Sequence, residues 1–213
     1  MKNKRTELVF ILDRSGSMAG LETDTTGGFN SLIERQKKEE GEATVTTVLF
    51  DNEIVMIHDG TDLNKVGRLT EKEYYVRGST ALLDAIGSTV NYVGNRQKML
   101  CEGEKASKVV VAVITDGMEN SSKEYDRKTV KYMIERQKNK YGWEFLFLGA
   151  NMDAVGEASK IGIEKDAAVS YRCDAAGTAI NFGAVGKRMA AARAGKALSG
   201  EWKKDIEKYN DEK

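Results

Sequence analysis

The chain has 213 residues, 40% of them hydrophobic and 31% charged, enough for one large domain or two small ones with an ordinary core. Lysine plus arginine and aspartate plus glutamate balance at 33 each, which argues against nucleic acid or an anionic membrane as partner. One histidine and two distant cysteines argue against a multi-histidine site and a disulfide framework, and no apolar run nears the ~20 residues of a membrane span.

Met1 to Glu7 is polar, and the apolar run after it is too short for a signal peptide and is stopped by Asp13, so a cytoplasmic protein is expected. Leu8 to Leu12 (LVFIL) is continuous and apolar, as in a strand buried on both faces. Asp24 to Glu40 reads as a helix with Phe29, Leu32, Ile33 and Gln36 on one side and Thr23 or Asp24 as cap. Thr44 to Phe50 and Glu53 to His58 flank the turn Asp51-Asn52, a hairpin that makes one strand antiparallel. Asp59 to Ser79 reads mostly as loop, Ala81 to Met99 as a helix, and Val109 to Ile114 (VVVAVI) as the clearest buried strand. A helix over Asp126 to Tyr141, a strand over Phe145 to Leu148, a helix over Asp153 to Ile161 and a short strand over Ala167 to Tyr171 follow. Alanine and glycine dominate Ala176 to Leu198, one more helix, and the charged stretch Glu201 to Lys213 is expected to fray.

Strands alternating with helices of this length predict an α/β, doubly wound, Rossmann-like fold. Its sheet is six-stranded and mostly parallel with one antiparallel edge strand, and helices cover both faces. Residues 1–175 would form the domain, and 176–213 a helical extension with a charged tail.

In such folds ligands bind beyond the carboxyl ends of the strands. Two buried strands end in aspartate there, giving Asp13-Arg14-Ser15-Gly16-Ser17 and Thr115-Asp116-Gly117. A third loop, Gly78-Ser79-Thr80, adds a hydroxyl ahead of a helix. Two carboxylates and several hydroxyls at one edge suit a hard cation such as Mg²⁺, which takes six oxygens at ~2.1 Å.

Asp13-Arg14-Ser15-Gly16-Ser17 resembles the D-x-S-x-S motif of von Willebrand factor A domains, the metal-ion-dependent adhesion site. Thr80 and Asp116 match the threonine and the fourth-strand aspartate that complete that site. The resemblance covers about residues 5–172. It implies that Ser15, Ser17 and Thr80 touch Mg²⁺ or Mn²⁺ directly, that Asp13 and Asp116 act largely through water, and that one position stays open to a carboxylate on a protein partner. Ala19 to Gln36, Thr80 to Ile86 and Trp143 to Asp153 further resemble small cytoplasmic bacterial or phage members of the family.

The expected function is therefore a binding module and not an enzyme. An alternative is an Mg²⁺-dependent phosphohydrolase, but these resemble D-x-D-x-T, and Ser15 stands where their second aspartate acts as general acid. A structural role, with the metal stapling loops, is a third reading. The first turn lacks the G-x-G-x-x-G of a dinucleotide fold, and Gly183 to Lys187 lacks a phosphate-loop ending. Arg14 is expected to face solvent, Glu119 and Asn120 to serve turn and cap, Thr80 to cap its helix as well, and Asp84 to stabilise that helix's positive end. His58 reads as a half-buried strand residue and both cysteines as inert.

Overall fold

The computed structural model describes residues 5–150 and 152–212; the expectations for Met1 to Lys4 and for Lys213 lie outside these residues. Six strands form one sheet: β1 (Thr6–Asp13), β2 (Ala43–Phe50), β3 (Ile54–Asp62), β4 (Lys108–Thr115), β5 (Glu144–Ala150) and β6 (Ala168–Tyr171). Their order is β3-β2-β1-β4-β5-β6, parallel throughout except for the β2–β3 hairpin at one edge.

β1 and β4 lie side by side at the centre, with Leu12 opposite Ile114. All eight residues of β1 are buried, which is why its sequence runs apolar without alternation. At the edge, β3 is half exposed and extends to Asp62, past the expected end at His58. Gly60 makes that extension possible: with φ 53° it lies against the Arg96 guanidinium, and a Cβ there would overlap it. Arg96 in turn pairs with the fully buried Glu7.

The helices are α1 (Glu22–Gln36), α2 (Leu82–Met99), α3 (Arg127–Tyr141), α4 (Ala154–Lys160), α5 (Ala175–Arg193) and α6 (Lys204–Asp211). The chain moves one way across the sheet from β1 to β2 and the other way from β4 to β5. Right-handed crossovers then place α1 and α3 on opposite faces. α5 joins α1, with Phe182 against Gly28 and Gly186 against Leu32, while α2 packs on α3.

α1 starts and stops earlier than its sequence suggests. Its N-cap is Leu21, which offers no side-chain bond, and Arg193 of α5 donates to the carbonyl of its last residue, Gln36, and to those of Glu39 and Gly41 just beyond it. Among the described residues the charged end is helical instead of frayed. A 3₁₀ turn at Gly200–Lys203, which buries Trp202, leads into α6, which buries Ile206. Asn210 Nδ2 donates to the Ser170 carbonyl (2.7 Å) and Lys203 Nζ to that of Ala168 (3.0 Å), so α6 lies along β6.

Candidate metal centre

β1 and β4 run side by side and end in the same direction, so Asp13 and Asp116 emerge on adjacent loops at the carboxyl edge. Asp13 is almost fully buried; its Oδ1 accepts from the Ser15 amide (2.7 Å) and its Oδ2 from the Thr115 hydroxyl. The carboxylate thus shapes the turn that aims Ser15 and Ser17. A 3₁₀ turn at Gly16–Met18 completes that loop.

Three hydroxyls converge beside it. Ser15 Oγ and Ser17 Oγ are 3.2 Å apart, and Thr80 Oγ1 donates to Ser15 Oγ at 3.0 Å. Ser17 Oγ donates to Asp116 Oδ1 at 2.6 Å. For an octahedral cation with bonds of ~2.1 Å, neighbouring ligands stand about 3.0 Å apart. The hydroxyl spacings match that value, so the residues present fit a small hard cation. Among the described residues no three His, Cys, Asp or Glu side chains form a ligand cluster. The centre is built on hydroxyls, with two carboxylates behind them.

Gly117 closes one wall. A Cβ there would stand 2.5 Å from Thr80 Oγ1 and 3.3 Å from Ser17 Oγ. The three loops are tied by backbone bonds of their own: the Gly16 amide to the Gly78 carbonyl (3.1 Å), Arg77 to Arg14 (2.9 Å) and Asn120 to Thr80 (3.1 Å). Beneath them the buried Tyr74 hydroxyl donates to the Asp13 carbonyl at 2.6 Å. Burial pushes the Asp13 carboxyl up to about 6, against the lowering effect of its hydrogen bonds from Thr115 and Ser15. Burial also raises Asp116, while Ser17 and Cys173 pull it back.

All five residues expected at the site, Asp13, Ser15, Ser17, Thr80 and Asp116, fall within this cluster. Their neighbours depart from expectation in several places. Arg14 is 2% exposed instead of facing solvent: its Nε lies 2.9 Å from Asp51 Oδ2, and its guanidinium sits 5.1 Å from the Tyr75 ring centre. Asp51 is buried too and also accepts from Arg77 Nε at 2.9 Å. Thr80 does not cap α2. Glu119 Oε2 takes the Leu83 amide (2.8 Å) and Ser122 Oγ the Asp84 amide (3.0 Å), so the β4–α3 loop provides the cap. Asp84 accepts from the amides of Lys123, Glu124 and Tyr125, holding that same loop instead of serving only its own helix. Cys173 places Sγ 3.7 Å from Asp116 Oδ2. No local pattern announces these partners, because each pair joins distant parts of the chain.

No protein-family model matches the sequence, and no curated protein is similar to it. Solved structures are. The chain is similar to proximal thread matrix protein 1 from the mussel byssus, at 15% identity and TM-score 0.62, over 87% of this chain and 46% of that one. One structure of that mussel protein has a zinc-occupied MIDAS motif. It is also similar to a von Willebrand factor type A protein from Catenulispora acidiphila, at 18% identity and TM-score 0.59, over 91% of this chain and 43% of that one. A third is the manganese-loaded TRAP protein of Plasmodium vivax, at 14% identity and TM-score 0.54, over 85% and 74%. The chain spans less than half the length of the first two. Strand order, the lone antiparallel edge strand and these likenesses agree: the chain has the von Willebrand factor A fold.

Proposed function

We propose that this domain binds one divalent cation, Mg²⁺ or Mn²⁺, and through it captures an acidic group of a protein partner. The observation that carries this reading is the convergence of Ser15, Ser17 and Thr80 hydroxyls at spacings of 3.0 and 3.2 Å, backed by Asp13 and Asp116. The metal-bearing fold neighbours from mussel and Plasmodium support it. A bound cation would supply an electrophilic position for a carboxylate. Neutral hydroxyls neutralise little of its charge. Asp13 orients the serines through the Ser15 amide, Asp116 holds Ser17, and Gly117 leaves the wall free of side chain.

The backbone bonds among the three loops favour capture over stapling, since those bonds already tie the loops to one another. We read the protein as a non-enzymatic module of the cytoplasm; no helix among the described residues is long and apolar enough to cross a membrane.

Calorimetric titration of chelator-treated protein with Mg²⁺ and Mn²⁺ tests the reading. Saturable one-site binding is expected, abolished in the Asp13→Ala, Ser15→Ala double variant. Retention on a glutamate-bearing resin in Mg²⁺ and release by chelator should follow. Binding of neither metal, together with retention indifferent to chelator, would overturn the proposal.

A further inference from the structure

At the opposite edge of the sheet, where β4 and β5 begin, α3 ends at Gly142 with φ 66°. That left-handed residue lets Tyr141 close the helix and Trp143 open the run into β5 within one turn. Across from them α2 carries Gly94, where a Cβ would stand 2.8 Å from Gln137 Nε2. Between the two helices lies a cleft of 240 Å³ lined by Gly94, Lys98, Val109, Gln137, Tyr141 and Trp143. A cavity of about 150 Å³ holds one benzene ring, so this volume suits one ring with substituents or two fused rings.

Its polar groups are specific. Gln137 and Trp143 are each 6% exposed as residues, and neither the Gln137 side-chain amide nor the Trp143 indole N–H hydrogen-bonds to another described residue, so both groups are available to a molecule in the cleft. Gln97 next to them is already committed: it donates to Glu7 Oε2 and accepts from the Ala106 amide. Lys105 is paired with Glu102, whereas Lys98 forms no ion pair among the described residues and bonds only to Asn95 Oδ1 at 3.3 Å. The cleft thus offers an aromatic wall, one amide able both to donate and to accept, an indole donor and one uncompensated cation.

We propose that this cleft binds a small planar heteroaromatic ring carrying one anionic group. The ring lies against Trp143, its polar edge meets the Gln137 amide, and Lys98 takes the anion. The site is separate from the metal centre and does not rest on the capture reading.

Tryptophan fluorescence of the full chain, titrated with nicotinate in one arm and adenosine monophosphate in the other, tests it. These probes separate a free heteroaromatic acid from a nucleotide as the source of the same chemistry. Saturable quenching by at least one is expected, with binding about fivefold weaker for neutral nicotinamide or in Lys98→Ala, and about tenfold weaker in Gln137→Leu. Asp116→Ala should leave it unchanged. Lys98 is a surface residue, so Lys98→Ala decides the matter even if Gln137→Leu folds poorly. No saturable signal from either probe up to about 10 mM, or equal binding by the wild type and Lys98→Ala, would overturn the proposal.

Discussion

Gly117 walls the metal centre closely, because an added methyl would meet both Thr80 Oγ1 and Ser17 Oγ. Gly117→Ala should therefore weaken Mg²⁺ binding by about tenfold or more while the far-ultraviolet circular dichroism stays that of the native fold. Calorimetry beside a spectrum checks both halves. Asp13 gives a pH signature. Its carboxyl is held at about 6 in the folded chain, above the ordinary 3.8, because burial disfavours its charge. The folded state holds this proton more tightly than the unfolded chain does. Its contribution to stability is complete below the ordinary value and is lost as the pH rises from about 4 to 6. In chelator, the melting temperature of wild type relative to Asp13→Asn should fall across that window. In excess Mg²⁺ the fall should shrink, because a cation favours the ionised carboxylate. A wild-type and variant difference flat with pH in chelator would show that Asp13 titrates at its ordinary value.

Arg193 joins two helices that are far apart in sequence. Its guanidinium donates to the carbonyls of Gln36 (2.6 Å), Glu39 (3.0 Å) and Gly41 (2.8 Å), closing the end of α1 from α5. Arg193→Ala should cost about 2 kcal/mol in urea unfolding and speed amide exchange in the last turns of α1 and α5. Arg193→Lys should recover only part, since a lysine lacks the planar fork. The same contact explains what the sequence leaves illegible. Central strands such as β1 and β4 declare themselves, because burial on both faces demands unbroken apolar runs. The metal-site residues declare themselves through spacing within one turn, as in Asp13, Ser15 and Ser17. The end of α1 does not, for its partner is Arg193. Nor does α6, whose only buried side chain is Ile206 in an otherwise charged segment. Arg14 reads as a surface residue because Asp51 and Tyr75, which bury it, belong to another strand's end and another loop.

The sheet as a whole has two edges and treats them differently. β3 closes one side as half of a hairpin, while the four-residue β6 at the other is covered by α6 through Asn210 and Lys203. An uncovered edge is a template for another strand. Truncation after Leu198 should therefore raise the apparent mass with concentration in sedimentation, relative to the full chain. A truncated protein whose mass stays independent of concentration would mean that α6 does not guard the edge. The parallel run of β1 has a geometric consequence for how the molecule is mounted. β1 enters at Thr6 on one rim and leaves at Asp13 on the other, an extended path of about 23 Å. A bead, sensor chip or fluorophore coupled ahead of Arg5 would thus hold the domain by its base. The cation face would point outward into solution, and the cleft beside Trp143 would face the support.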